Sequence, residues 1–148
     1  MRRGLTLIEI LVAITLIVIL TSVYFLVANP AGQLAASRNN TRTLNLQTLM
    51  LAIQQNRADQ GNETFSCSSG PVPTTTTDMA SASGSYNIAP CLVPDYISVL
   101  PVDPSASSAH YLSVSNYDTG YRIVENASGS ITLSAPYAEL SQTISTTR

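Results

Sequence analysis

The chain has 148 residues, 45% of them hydrophobic, and its 7 basic and 9 acidic side chains give a formal net charge of −2. This mildly acidic charge excludes the basic surface that a nucleic-acid-binding protein needs. The length is sufficient for one modest domain, and no Gly-x-Ser-x-Gly, HExxH or phosphate-loop motif occurs, so the sequence predicts neither an enzyme nor a cofactor site.

The N-terminal segment is a long apolar run behind a short basic head. Arg2 and Arg3 precede the run, and from residue 5 to residue 28 the only charged side chain is Glu9. As a helix at about 1.5 Å per residue, this run is long enough to cross a hydrocarbon core of about 30 Å. A carboxylate placed inside a membrane costs about 2.5 to 3.5 kcal/mol and usually has a partner charge. The two arginines predict that the N-terminus is cytoplasmic and that the chain beyond the span is outside.

The residues GLTLIEI, from Gly4 to Ile10, follow Met-Arg-Arg and resemble the processing site of type IV pilins and pseudopilins. The resemblance implies that prepilin peptidase cuts after Gly4, so that residues 1-4 are a leader peptide, and that the new terminal residue Leu5 is methylated. It also implies that Glu9 meets the N-terminal amine of a neighbouring subunit and sets the register of a helical homopolymer.

The same resemblance predicts the location and the partners. The precursor would be a single-pass protein of the cytoplasmic membrane with its N-terminus inside, held by the transmembrane and assembly helix at residues 5-28. An assembly platform in the inner membrane would then extract it into an extracellular filament, which could serve surface adhesion, motility or DNA uptake.

Other interpretations of this segment compete with a filament subunit. A secretory signal peptide fits poorly, because its apolar region has about 7 to 15 residues and a small-x-small cleavage site follows. A plain membrane anchor that tolerates Glu9 stays open, and so does a tethered binding module that uses residues 63 to 95 as a recognition loop and never polymerises. Within the family, the alternatives are a minor pilin and a pseudopilin of a type II secretion or competence system.

Asn29-Pro30 follows the apolar run and is compatible with two structures. It is either a kink within one long helix or the N-cap and first residue of a new helix. The family resemblance favours a continuous rod. Helix is then expected from about residue 33 to residue 58 and stops at Gly61-Asn62, so residues 29-61 form an amphipathic helix that packs on the head.

Two apolar stripes run along this second helix. The first has the spacing of one buried face and should cover the sheet; it consists of Leu46, Leu49, Met50 and Ile53. The second, whose successive members are seven positions apart, lies on the other side and consists of Leu44, Leu51 and Ala58. It therefore needs a second partner, either the other helices of a filament or another part of the same domain.

The chain has two cysteines, Cys67 and Cys91, on the side predicted to be extracytoplasmic, where disulfides form. A disulfide would close a loop of about 25 residues and would stabilise the fold by roughly 3 to 4 kcal/mol in the entropic account. The loop would form much of the exposed surface. Free thiols or metal ligation are the alternative, but one histidine, His110, and two cysteines leave a tetrahedral zinc set incomplete.

Strand patterns appear in the last third of the chain, at residues 111 to 114, 121 to 125 and 130 to 134, with turns at 116 to 120 and 126 to 129. They predict a small antiparallel meander with one face on the helix. Residues 62-148 would then be a globular head with a disulfide loop. The predicted fold class is α+β, with a long N-terminal helix packed on a small antiparallel β-sheet in the type IV pilin manner.

A connector before these strands extends the resemblance. Residues 95 to 104, DYISVLPVDP, resemble the segment that precedes the sheet in many pilins and major pseudopilins. Major pseudopilins of type II secretion bind calcium near their sheet, and Asp95, Asp103 and Asp118 are suitable oxygen donors. They lack the dense D-x-D spacing that would concentrate ligands. Asp103 between two prolines predicts a turn cap instead, and no metal site is predicted.

Overall fold

The computed structural model describes residues 6–61 and 64–148, without the side chains of Leu26 and Ala28. The elements in chain order are α1 (Leu7–Ala28), α2 (Pro30–Gln60), β1 (Thr77–Ala80), α3 (Ala89–Leu92), β2 (His110–Ser113), β3 (Asn116–Glu125), β4 (Ile131–Ala135) and β5 (Ile144–Thr147). The chain divides into two compact units between Leu34 and Ala35. A long N-terminal helical segment followed by a small antiparallel sheet confirms the predicted α+β class.

One face of α2 carries the core of the second unit, as its spacing predicts. The four residues of the first stripe are at most 3% exposed; they are Leu46, Leu49, Met50 and Ile53. On the other side of the helix Leu44 is 62% exposed and Leu51 is 58% exposed, and Ala58 is exposed too. The helix ends before Gly61, whose φ of 68° is the left-handed conformation that glycine adopts at helix ends. Asn62, the other half of the predicted stop, lies outside the described residues.

The sheet packs β3 against the helix through alternate residues. Its strand order is β1-β3-β4-β5, with β2 also paired to β3, and every pairing is antiparallel. The inward residues of β3 and β4 are buried and supply the sheet half of the core; they are Tyr117, Thr119, Tyr121, Ile123, Ile131, Leu133 and Ala135.

The predicted meander is right in its strands and wrong in one turn. Residues 116 to 120 belong to β3, and the chain reverses just before them, between Ser113 and Asn116. Gly120 suggested a turn, but it serves a close approach inside the strand: it has a φ of 72°, and a Cβ there would lie 2.8 Å from the Cβ of Asp103. The turn after β3 is confirmed, since the Gly129 N–H donates to the Asn126 carbonyl at 2.9 Å.

The segment between the cysteines contributes to the core as well as to the surface. β1 and α3 form within it, and six of its apolar side chains are buried; they are Val72, Met79, Ala80, Tyr86, Ile88 and Ala89. Many of its other residues are exposed. Tyr117, on β3, attaches this segment to the sheet. Its hydroxyl accepts a hydrogen bond from the Ala89 N–H at 3.1 Å and donates one to Asn87 Oδ1 at 2.9 Å.

The structure contains the disulfide between Cys67 and Cys91, whose Cα atoms are 5.1 Å apart. Replacing both cysteines with serine is expected to lower the free energy of unfolding by about 3 kcal/mol, because the open chain gains the freedom of the closed loop. Urea unfolding of the full chain in detergent, with and without reductant, measures this. Reduced wild-type protein should approach the double variant, and an unchanged urea midpoint in the double variant would contradict the prediction.

Candidate processing and assembly site

The predicted cleavage and methylation positions, Gly4 and Leu5, lie outside the described residues. The described chain begins at Thr6, directly after them. The local geometry of the site therefore starts at the first turn of α1.

Thr6 caps α1 at its N-terminus. Its backbone is extended (φ −81°, ψ 150°), and its Oγ1 accepts a hydrogen bond from the Glu9 N–H at 3.3 Å. Thr-x-x-Glu is the capping-box pattern, which was available in the sequence but which the sequence-based prediction did not use. Glu9 therefore lies in the first turn, where the unpaired N–H groups and the helix dipole favour a negative charge.

The rest of α1 presents an apolar surface. Each side chain from Thr6 to Phe25 is exposed, and the helix of 22 residues has a length of about 33 Å. Its hydroxyls bond within the helix: Thr15 Oγ1 donates to the Val12 carbonyl at 2.8 Å, and Thr21 and Ser22 do the same four residues back. Among the described residues, one helix is long and apolar enough to cross a membrane, and α1 is its apolar part.

Asn29 separates α1 from α2. Its φ of 36° and ψ of 63° are left-handed, so the helical backbone is interrupted at this residue. Its Oδ1 accepts from the Gly32 N–H at 3.2 Å, and Pro30 is the first residue of α2. The Asn29 side chain therefore caps the first turn of α2, as predicted for a new helix. Its left-handed backbone is a local break in a helical stretch that runs from Leu7 to Gln60.

A buried ion cluster, which was not predicted from the sequence, holds α2 to the rest of the second unit. Arg42 and Asp103 have side chains that are 0% exposed, and Arg42 Nε donates to Asp103 Oδ2 at 2.8 Å. Arg42 Nη1 reaches Glu139 Oε2 at 3.0 Å. Hydrogen bonds to Asp103, and then to Glu139, raise the pKa of Arg42. The signal was present, because Arg42 continues the buried stripe one turn N-terminally from Leu46.

Asp103 has the turn-capping role that its sequence context predicts. Its Oδ1 accepts from the N–H groups of Ser105 at 2.8 Å and Ala106 at 2.9 Å. Burial raises its pKa, but the hydrogen bonds from Arg42 and from these two amides outweigh burial, and the net shift is downward. Its oxygens are thus committed to protein donors. Asp118 is similarly engaged, since its Oδ1 accepts from the Gly120 N–H at 2.8 Å.

Glu139 gives the cluster a measurable pH dependence. Hydrogen bonds from Arg38, and then from Arg42, lower its pKa from 4.5 to about 2. Because the folded-state pKa is depressed, this carboxylate stabilises the fold above pH 4.5, and the stabilisation is lost as the pH falls toward 2. Urea midpoints of wild type and Glu139→Gln should differ most near neutrality and converge as the pH falls toward 2, because the variant is less stable near neutrality and loses less stability in acid. Parallel curves would contradict the assignment.

His110 lies at the start of β2 and is exposed. Its Nδ1 is 2.6 Å from the Ser108 carbonyl, and its Nε2 is 3.0 Å from Asn116 Oδ1. These contacts raise its pKa, the Ser108 carbonyl most of all. Both ring nitrogens are therefore occupied within the hairpin.

Comparison with known proteins bears on the N-terminus. The prokaryotic N-terminal methylation motif matches residues 1–25, a range that contains Gly4, Leu5, Glu9 and most of α1. No curated protein and no solved structure matches the chain. The apolar helix and the motif fit a membrane-anchored precursor. The match is confined to the N-terminal segment, where it supports the resemblance to type IV pilin and pseudopilin precursors that prepilin peptidase processes.

Proposed function

We propose that this chain is a structural subunit of a type IV pilus-like filament. Prepilin peptidase removes residues 1-4 and methylates Leu5, and the segment at 5-28 first anchors the subunit and then packs with its copies. The amphipathic helix at 29-61 carries the head at 62-148. The mature subunit leaves the cytoplasmic membrane, where its N-terminus faced the cytoplasm, and becomes part of an extracellular polymer.

One observation supports this proposal above the others: α1 is apolar, its side chains are exposed from Leu7 to Phe25, and a single carboxylate lies in its first turn. Its place at the N-terminus of the helix lowers the cost of that charge but does not neutralise it. In an assembly, the amine at Leu5 of the next subunit supplies the countercharge. Glu9 then favours polymerised copies over single ones and fixes their register.

The exposed stripe on α2 supports the same proposal. Leu44 and Leu51 are more than half exposed. Two charged residues, Arg38 and Arg42, precede them on α2, and both are paired with acids. A helix surface of leucine and uncharged polar groups loses little when water is removed from it. Lateral packing of copies would cover it.

A pseudopilin of a secretion or competence system remains the alternative within the family, because it shares the N-terminal helix. A tethered, non-polymerising module is the alternative outside it. Electron microscopy of material sheared from cells, with antibody labelling of the head, tests the proposal. Labelled filaments are expected in the sheared material. No labelled filaments there, with all of the label in the membrane as single subunits, would contradict the proposal.

A further inference from the structure

The segment that joins β4 to β5 presents one large aromatic and one large aliphatic side chain to solvent. In this β4–β5 segment, residues 136–143, Tyr137 is 49% exposed and Leu140 is 54% exposed. Leu140 has a φ of 57° and Ser141 has a φ of 55°, a region that residues with a Cβ rarely adopt. Such a conformation persists where neighbouring contacts enforce it, so a fixed backbone displays the two side chains.

Two residues of α2 hold the segment. The Glu139 carboxylate accepts a hydrogen bond from Arg38 Nε at 2.7 Å, and the Glu139 N–H donates to Asn39 Oδ1 at 3.0 Å. Asn39 Nδ2 donates to the Glu139 carbonyl at 2.8 Å and to Gln142 Oε1 at 2.9 Å. The β4–β5 segment is therefore fixed beside residues 38 and 39, in the N-terminal part of α2.

Chain length keeps this part of α2 close to the end of the apolar helix α1. The chain from Pro30 to Arg38 is helical and rises about 12 Å, and the step from Ala28 to Pro30 adds at most about 8 Å. Arg38 therefore lies within about 20 Å of the end of α1, whatever the angle at Asn29. When α1 spans a membrane, this tether concentrates the β4–β5 segment at the surface from which the chain emerges.

The distribution of charge points to the same end of the head. Glu139 is the only residue of the β4–β5 segment that is charged at neutral pH, and it is paired with two arginines. Two exposed acids lie at the other end of α2 instead: Asp59 is about 30 Å beyond Arg38 along the helix, and Asp95 lies with it around Tyr96. A surface of anionic lipid repels acids, whereas a neutral surface enters the interface at a lower cost.

We propose that the β4–β5 segment of the membrane-anchored subunit places Tyr137 and Leu140 in the lipid–water interface of the membrane that α1 spans. Tyrosine has an apolar ring and a polar hydroxyl, and it is enriched where hydrocarbon meets the headgroups. Leu140 adds apolar area in the same segment, and the paired Glu139 brings no net charge. This inference rests on the membrane anchor of the proposed function and not on polymerisation. The contact steadies the head before assembly and is broken when the subunit leaves the membrane.

Tryptophan fluorescence tests this contact, because the chain contains no tryptophan of its own. The full-length Tyr137→Trp variant is reconstituted at low density in vesicles of phosphatidylethanolamine and phosphatidylglycerol that include brominated phosphatidylcholine. Its emission should be blue-shifted and strongly quenched by the bromine atoms. Gln55→Trp is the matched control, because Gln55 is an exposed residue of α2 about 25 Å beyond Arg38. The emission of this control should be unquenched and should resemble that of tryptophan in water.

A second substitution tests whether the contact is apolar. Adding Leu140→Asn to Tyr137→Trp should lower the ratio of quenched to unquenched tryptophan about tenfold, because it removes most of the apolar area of the leucine. Asparagine tolerates a positive φ better than leucine does, so the urea midpoint of the head should not fall.

The outcomes separate this contact from the filament function. Tyr137→Trp emission that is unquenched, or quenched no more than that of Gln55→Trp, would overturn the contact and leave the filament function intact. A blue shift that appears only at high protein density and without bromine quenching would also overturn it, because a second copy would then cover the segment. Recovery of the chain in the aqueous phase instead of the vesicles would overturn the membrane anchor and both proposals with it.

Discussion

Replacing Glu9 with alanine should abolish sheared filaments while leaving cleavage and membrane insertion intact. The substitution removes the carboxylate that the proposal pairs with the neighbouring N-terminal amine. An uncompensated charge in an apolar interior costs about 3 to 5 kcal/mol, which corresponds to a loss of association of roughly a hundredfold or more. Insertion should not suffer, because alanine is less costly than glutamate in a membrane. Immunoblots of the sheared and membrane fractions measure both quantities.

Glu9→Gln provides the matched control for shape. Glutamine keeps the size of the side chain and some capacity for the first-turn hydrogen bonds but has no charge. If the charge sets the register, this variant should lose filaments nearly as completely as the alanine variant. A wild-type yield from either variant would exclude the register role of Glu9.

Replacing Arg42 with alanine should destabilise the head by about 3 to 5 kcal/mol, because it leaves the buried Asp103 carboxylate without its partner. The substitution also removes a bond to Glu139, in the segment between β4 and β5. Urea unfolding of the full chain, followed by the near-ultraviolet circular dichroism of its 7 tyrosines, measures the change.

Arg122→Ala is the control for burial. The Arg122–Asp78 pair has a shorter separation, 2.7 Å, but its side chains are 45% and 58% exposed. An exposed ion pair contributes at most about 1 kcal/mol, so this variant should unfold near the wild-type urea concentration. Equal losses in the two variants would show that burial of Arg42 is not what makes it important.

The fold could be predicted where one physical pattern dominates a segment. An uninterrupted apolar run predicts α1, and apolar spacing predicts the buried face of α2 down to Leu46 and Ile53. The strands β1 and β5 were not predicted because each has only four residues. Their sequences, TDMA and ISTT, show no alternation of apolar and polar residues. They form because neighbouring strands supply their hydrogen-bond partners, and those neighbours are distant in the sequence.

The N-terminal motif could be recognised in the sequence, whereas the long-range contacts that hold the head together could not. Gly4, Leu5 and Glu9 follow from seven consecutive residues, and Cys67 pairs with the single other cysteine. Arg42 was missed because arginine on a helix is normally solvated, and its acids lie 61 and 97 residues further along the chain. The left-handed backbone of Leu140, with a φ of 57°, has no sequence signal, because Arg38 and Asn39 of α2 hold the adjacent Glu139.

The intact mass of the chain, taken separately from the membrane and from sheared surface material, tests the central claim most directly. Processing and polymerisation predict one mature species in the sheared material, beginning at Leu5 and carrying a single methyl group. They also predict that any unprocessed chain is confined to the membrane. A surface or membrane population made up solely of chains that retain Met1 to Gly4 would contradict the account.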